Sequence, residues 1–410
     1  MSPYTTIDSV DPEDLWKWMA GYEDKTGGKV LAIPHNGNLS NEIMFNAVET
    51  YSGKPLTKEY ARTRMRFERL YEVTQIKGDG ETHPSLSPTD EFADFETWDE
   101  GNLNLTPKQP GMIQYEYARE AFKNGLMLEK KLGANPFKFG LASGTDTHTV
   151  LSTAEEDNFF GKHSGVEPSP DRWKHVTLAF DGREILGWRM AAAGYTGVWA
   201  TENIRESIWD AMHRKEVYST TGPRMTVRFF GGWDFVPRDA LDRLPAAVGY
   251  AKGVPMGGDI VKAPKGKSPT FLVAALKDPI GANLDRIQVV KGWMDAGGKL
   301  HEKVYDVVWG DAKTRQPGSD GKLPAVGNTV DLATATWTNT IGDPELITVW
   351  KDPGFDVKQR AFYYARVLEI PTPRWTAYDA KRFGTKPLPG TTMVLQERAY
   401  TSPIWYTPGI

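Results

Sequence analysis

Asp146 and His148 stand two residues apart at the end of a small-residue, apolar stretch that begins at Phe139. In an extended chain, side chains two apart point the same way, so this carboxylate and this imidazole would lie side by side. Such a pair can share a metal ion or a metal-bound water. The same letters also fit an Asp-Thr-His turn in which Asp146 caps the next segment. The spacing therefore predicts either a metal site or a turn.

Two more ligand-type residues stand at the ends of apolar stretches earlier in the chain. His35 follows the stretch 29–33, which should end at Pro34 because proline has no N–H for a sheet ladder. Glu72 lies in a second such stretch, 70–73. A lone histidine is more often a hydrogen-bonded structural residue, but the C-terminal ends of parallel strands gather at one edge of a sheet. Together with the Asp-x-His pair, these residues predict a metal or acid–base site at that edge.

Further polar candidates follow other strand ends. Lys77, Asp79, Glu81 and His83 fall within seven residues, in a loop that is either simply solvated or contributes ligands and substrate contacts. Arg224 ends another short strand, where its guanidinium could bind an anionic oxygen bidentately or pair with a local carboxylate. The sequence leaves both alternatives open.

The elements that must position these residues fall into two parts. Across residues 1–225, apolar strand, polar strand end and helix recur, which indicates an α/β architecture. Across residues 226–410, short alternating strands separated by Gly- and Pro-rich turns predict a mostly β, sandwich-like domain.

Composition excludes several function classes. The net charge of -4 gives no electrostatic argument for binding nucleic acid or an anionic membrane. The absence of cysteine excludes disulfides, thiolate zinc sites and a thiol nucleophile. No apolar run approaches the ~20 residues of a membrane helix. The first twenty residues lack the pattern of a signal peptide, which leaves cytoplasm and periplasm both open.

Eight long motifs resemble a bacterial family described as domain of unknown function 3604 (DUF3604), within the polymerase and histidinol phosphatase (PHP) superfamily. The resemblance covers nearly the whole chain. The motifs are IPHNGNLS (33–40), EVTQIKGDGETHP (72–84), DEFADFE (90–96), GTDTH (144–148), TGVWATEN (196–203), YSTTGPRM (218–225), RIQVVKGW (286–293) and SPIWY (402–406).

The resemblance implies a distorted (β/α) barrel with metal ions at the strand C-termini, and hydrolysis of phosphate or related phosphonate or sulfate esters by a metal-activated water. One or two divalent ions (Zn, Mn or Fe) would be held by His35, Glu72, Asp146 and His148. Arg224 or Lys77 would neutralise charge in the transition state, and His83 would protonate the leaving group. Glu81 and Asn36 would contact the small-molecule ester.

One departure from the family pattern matters. Members begin with a His-x-His strand and further ligands that would precede Met1 of this chain, so the resemblance implies only a partial barrel. Two alternatives follow. The chain is a non-catalytic remnant, a carbohydrate- or partner-binding module with a vestigial half-barrel, or a second copy supplies the absent strands in a homo-oligomer, since open sheet edges invite pairing.

Overall fold

The computed structural model describes residues 2–409. Helices begin and end where local chemistry dictates. The first has Asp11 as its N-cap, with a carboxylate that accepts the Glu13 N–H, and it stops at Gly27, whose φ is +67°. The helices are α1 (Pro12–Thr26), α2 (Lys58–Phe67), α3 (Ala118–Leu132), α4 (Arg205–His213), α5 (Pro245–Lys252) and α6 (Trp375–Phe383). Within residues 2–409, no helix has the length and apolarity needed to cross a bilayer.

Strands dominate the second half of the chain. They are β1 (Leu70–Gln75), β2 (Gly78–Asp79), β3 (Gly140–Ser143), β4 (Val176–Phe180), β5 (Arg183–Leu186), β6 (Tyr195–Val198), β7 (Val217–Thr220), β8 (Thr226–Gly232), β9 (Gly253–Pro255), β10 (Asp259–Ile260), β11 (Thr270–Leu276), β12 (Leu284–Met294), β13 (Leu300–Trp309), β14 (Glu345–Lys351), β15 (Arg360–Glu369), β16 (Thr372–Pro373), β17 (Val394–Leu395), β18 (Arg398–Thr401) and β19 (Ile404–Tyr406).

The α/β part contains a small sheet of three strands in the order β2-β1-β3. Strands β1 and β3 run parallel, with Glu72 opposite Ala142, while β2 folds back antiparallel to β1. No sheet within residues 2–409 closes into a barrel. The structure therefore shows a mixed α/β fold with mostly antiparallel pairing.

Two larger sheets pack face to face. The first has eight strands, in the order β10-β19-β15-β18-β7-β6, with β12 joining β15 to β13; the second has the order β14-β11-β8-β9. Phe229 and Phe271 from the second sheet pack with Ile287 and Tyr363 from the first. On its other face, the eight-stranded sheet packs Phe362 and Trp405 against α3 and β3. Because it is covered on both faces, β12 is buried along nearly its whole length.

The predicted boundary between residues 225 and 226 does not separate the sheets. Strands β6 and β7, which precede it, pair with each other, and β7 pairs with β18 near the C-terminus. The eight-stranded sheet thus takes strands from both sides of the boundary.

Hydroxyl side chains attach the small sheet to the large one. Thr196 Oγ1 accepts the Ser143 N–H at 2.9 Å and donates to the Ser143 carbonyl at 2.8 Å. Ser402 Oγ accepts the Leu141 N–H at 3.1 Å and donates to the Val217 carbonyl at 2.7 Å. The C-terminal end of β3, from which the Asp-x-His turn departs, is therefore held by its pairing with β1 on one side and by these hydroxyl side chains on the other.

The strand predicted for residues 29–33 is not formed. The segment is extended and makes two isolated backbone bonds, Ala32 N–H to the Phe67 carbonyl at 2.8 Å and Glu72 N–H to the Pro34 carbonyl at 2.9 Å. Since Pro34 has no N–H, the pairing cannot continue into the site as a ladder.

Candidate functional site

Asp146 and His148 lie in the turn that follows β3, and they contact each other. Asp146 has a φ of +53°, the left-handed region that residues with a Cβ rarely adopt. His148 Nε2 lies 3.2 Å from Asp146 Oδ1. The two side chains meet through this turn, not by alternation along an extended strand as the spacing predicted.

Two lysine side chains reach the same carboxylate. Lys77, in the tight turn between β1 and β2, donates to Asp146 Oδ2. Lys162 donates to the same oxygen at 2.7 Å, and its Nζ lies 3.2 Å from His148 Nε2. Burial, with repulsion by Lys162, lowers the pKa of Lys77 to about 7. One of the two amines therefore loses its proton easily at neutral pH.

Glu72 reaches the same turn from β1. A Cβ added to Gly144 would lie 2.7 Å from Glu72 Oε1, so glycine gives the carboxylate room to approach the turn. Burial raises the pKa of Glu72 to about 7, an effect that the charges of Lys77 and Lys162 only partly offset. Both amines donate to Asp146, and Glu72 remains a carboxyl group that changes charge near neutral pH.

His35 and Asn36 enter the site from the extended segment before β1. Asn36 is left-handed, with φ +62°, and its Oδ1 accepts a hydrogen bond from Gln75 Nε2 at 2.6 Å. Partial burial and the charge of Lys77 lower the pKa of His35. Its imidazole is therefore neutral at pH 7 and can accept a proton or a cation.

These groups line one open cavity of about 340 Å³, which we call the lysine cavity. Glu72 lies behind its lining, beside Gly144. The lining residues are His35, Asn36, Ile76, Lys77, Trp98, Leu103, Asp146, His148, Lys162, His163, Thr177, Leu178 and Met190.

Sequence reasoning missed Lys162, and His163, which lies beside it at the cavity, is exposed in the same loop. Both lie in a polar segment that follows no strand, so no pattern marked them. The structure brings the segment in through a backbone bond from His148 N–H to the Lys162 carbonyl, at 2.7 Å. Lys162 lies outside every motif, so the sequence alone does not indicate that it belongs to the site.

Glu81 lies outside the lysine cavity, contrary to its predicted contact with substrate. Its side chain is only 2% exposed and is paired with Arg119 and, at 3.1 Å, with Arg366. Tyr364 also donates to its carboxylate. With these partners, Glu81 fixes α3 to β15 and has no surface to offer a ligand.

His83 and Arg224 also lie apart from the lysine cavity. His83 Nε2 lies 3.1 Å from Asp99 Oδ2, in a different cleft of about 800 Å³. Arg224 donates to Glu155 Oε1 at 3.0 Å and its guanidinium lies 5.3 Å from the Tyr195 ring centre. The structure thus supports the local-carboxylate alternative for Arg224, and it gives neither residue a contact with the cavity.

A family model described as a protein of unknown function (DUF3604) matches residues 1–408. The chain belongs to the DUF3604 family. The match includes every residue of the lysine cavity, but the description of the family assigns no activity. No curated protein matches this DUF3604 chain.

The residue types in the site suit a divalent cation, but their arrangement does not. Two imidazoles and two carboxylates are ligand types that Zn, Mn and Fe share. However, no three histidine, aspartate or glutamate side chains within residues 2–409 are grouped so that they could hold one ion. Lys77 and Lys162 both occupy Asp146 Oδ2, and cations there oppose a metal ion. As arranged, the side chains do not fit a resident metal.

Proposed function

We propose that the lysine cavity binds and hydrolyses a small anionic ester: a phosphate, phosphonate or sulfate. The observation that carries this proposal is the convergence of His35, Lys77, Asp146, His148 and Lys162 on one open cavity. Two amines that can bind oxyanions and several groups that can move a proton are both needed for ester hydrolysis, and they come from separate segments of the chain.

Each residue of the site would take a role that follows from its charge. Lys77 and Lys162 would exchange their contacts with Asp146 for the oxygens of the ester, whose negative charge would offset the mutual repulsion of the two amines. Glu72, with a pKa near 7, would accept a proton from water. His148, exposed at the cavity mouth, would protonate a leaving group after it has gained a proton itself, since the charge of Lys162 lowers the pKa of its imidazole.

The resemblance to the PHP superfamily adds a divalent ion to this proposal. His35, Glu72, Asp146 and His148 would hold it once the lysines had moved to substrate. Such an ion lowers the pKa of bound water to near neutrality. Since the observed arrangement does not fit the ion, metal dependence is a separate arm of the test.

The test is an assay of aryl phosphate, phosphonate and sulfate with the purified full chain, with and without chelator and added Zn, Mn or Fe. We expect turnover that Lys162→Met lowers by about 100-fold, the usual cost of losing one charge-stabilising donor. Asp146→Asn should abolish turnover together with any bound metal. His175→Gln, at an exposed site away from the cavity, is the matched control. Turnover equal in Lys162→Met and wild type would contradict the proposal.

A second candidate function is metal-free binding of an anion without turnover. It is supported by the same two lysines and by the lack, within residues 2–409, of any group of side chains that could hold a metal ion. It predicts saturable binding of inorganic phosphate or sulfate that Lys162→Met weakens, and no hydrolysis with any metal. Metal-stimulated turnover would exclude it.

A further inference from the structure

A second pocket, of about 130 Å³, lies where residues 154–157, between β3 and β4, meet the β-rich part of the chain. We call it the acidic pocket. Its lining, taken over the described residues, contains no lysine or arginine, and it shares no residue with the lysine cavity. The carboxylates that line it belong to Glu155, Glu156, Asp157, Asp278, Glu369 and Glu397.

Glu369, the last residue of β15, is the member of this set that lacks a partner. Its side chain belongs to a residue only 1% exposed, and Oε1 has no hydrogen-bond partner. The charge of Lys277 acts on Glu369. The ammonium of Lys277, however, donates its hydrogen bonds to the carbonyls of Asp278 at 2.9 Å and Gly281 at 2.8 Å. Burial raises the pKa of the Glu369 carboxyl group well above its usual range, so the group holds a proton when no cation is present. A cation in the space beside it would favour the ionised form.

Two further buried carboxylates adjoin the pocket. Glu397 is 3% exposed and accepts from Thr221, while Glu156 accepts the backbone N–H of Trp375. Burial raises the pKa of Glu156 to about 8, and burial with repulsion from Glu156 raises the pKa of Glu397 well above its usual range. Without a counter-ion, these groups hold protons at neutral pH.

The remaining walls select the kind of cation. No three ligand side chains in residues 2–409 are grouped so that they could hold one metal ion. Trp337 and Tyr378 add aromatic rings, and Ile280 and Pro373 add apolar surface. Aromatic faces and apolar walls favour an organic cation over a hydrated metal ion. We propose that the acidic pocket binds a small organic ammonium ion, with Glu369 as its counter-ion.

The probe is n-butylammonium chloride, titrated calorimetrically into the full chain at constant ionic strength, with 1-butanol as the neutral comparison. We expect saturable one-to-one binding of the amine and no binding of the alcohol. Glu369→Gln keeps the shape of the side chain and removes its charge, so it should weaken binding by about 30-fold or more. Glu184→Gln, on the exposed β4–β5 hairpin, should leave the affinity unchanged.

Thermal unfolding shows that Glu369→Gln is folded before its affinity is compared, and we expect its Tm to be close to that of wild type because burial already keeps the Glu369 carboxyl group protonated when no cation is bound. Unsaturable binding, equal affinity for 1-butanol, or wild-type affinity in Glu369→Gln would overturn the proposal. Displacement of the amine by low concentrations of Ca²⁺ or Mg²⁺ would overturn it in favour of a metal site. Ester turnover at the lysine cavity is unaffected by any of these outcomes.

Discussion

Burial moves the pKa of Glu72 up and that of Lys77 down, so that an acid and a base near one turn both titrate at about 7. The two shifts bring both pKa values to the same pH, where either group can take or give a proton. Asn36 and Asp146, at the same cavity, also have left-handed backbone conformations, which are strained for residues with a Cβ. The cavity therefore costs folding free energy through backbone strain as well as through the burial of ionisable groups.

The shifted pKa of Glu72 makes stability depend on pH. Between pH 4.5 and 7 the folded state binds more protons at this group than the unfolded state, so the free energy of unfolding falls as pH rises. The loss reaches up to about 3 kcal/mol above pH 7. Glu72→Gln should therefore match wild type at pH 4 and exceed its stability at pH 8, as measured by urea unfolding across this range.

Glu184→Gln, at an exposed position, serves as the control for this comparison, and its difference from wild type should be flat with pH. If the difference between Glu72→Gln and wild type is equally flat, burial does not raise the pKa of Glu72, and its assignment as a proton acceptor fails with it.

The sequence located five of the cavity's polar residues, because each follows an apolar stretch: His35, Asn36, Lys77, Asp146 and His148. It could not find Lys162, whose position is set by a backbone bond to the turn and not by a strand. It also placed Glu81 at the site, although Glu81 is taken up by an ion network with β15. Arg366 lies nearly 300 residues after Glu81, so no local sequence pattern indicates that the two residues pair.

At the scale of elements, alternation predicts strands over 226–230, 270–276, 286–291 and 359–369, and the structure forms β8, β11, β12 and β15 there, because these strands contribute to a buried interface. Apolar spacing over 112–132 predicts one helix, but α3 begins only at Ala118, because residues 112–115 form a separate 3₁₀ turn. The segment 29–33 failed as a strand for lack of a continuous partner. Pairing partners, unlike periodicity, cannot be read from one stretch of chain.

The hydroxyl bridge at the end of β3 predicts a specific cost. Thr196→Val keeps the volume of the side chain but leaves the Ser143 N–H and carbonyl without their partner. We expect about 1–3 kcal/mol of destabilisation by urea unfolding, and loss of any ligand binding at the lysine cavity. Thr385→Val is the matched control, since Thr385 Oγ1 has no hydrogen bond to lose. Equal stability of the two variants would show that this bridge does not hold β3.

At the scale of the whole molecule, the eight-stranded sheet joins the two parts that the sequence separated. It takes β6 and β7 from the part of the chain before residue 226 and packs α3 against one face. Phe122 of α3 lies at this contact, with ring centres 5.3 Å from Phe362 and 5.6 Å from Trp405. Such shared burial predicts one cooperative unit. The homo-oligomer expected from an incomplete barrel stays a prediction, and size-exclusion chromatography with light scattering tests it.

Phe122→Ala tests the cooperative unit directly. The residue is fully buried, so truncation should cost about 3–5 kcal/mol through lost burial and the cavity left behind. If the two parts unfold together, far-UV circular dichroism and tryptophan fluorescence should give coincident urea transitions in wild type and in the variant, both moved to lower urea. Leu241→Ala, at a position 84% exposed, should leave the midpoint unchanged. A variant whose β-sheet signal persists after the fluorescence has changed would instead show that residues 226–409 form an independent unit, because only then can the interface at α3 open while the sandwich stays folded.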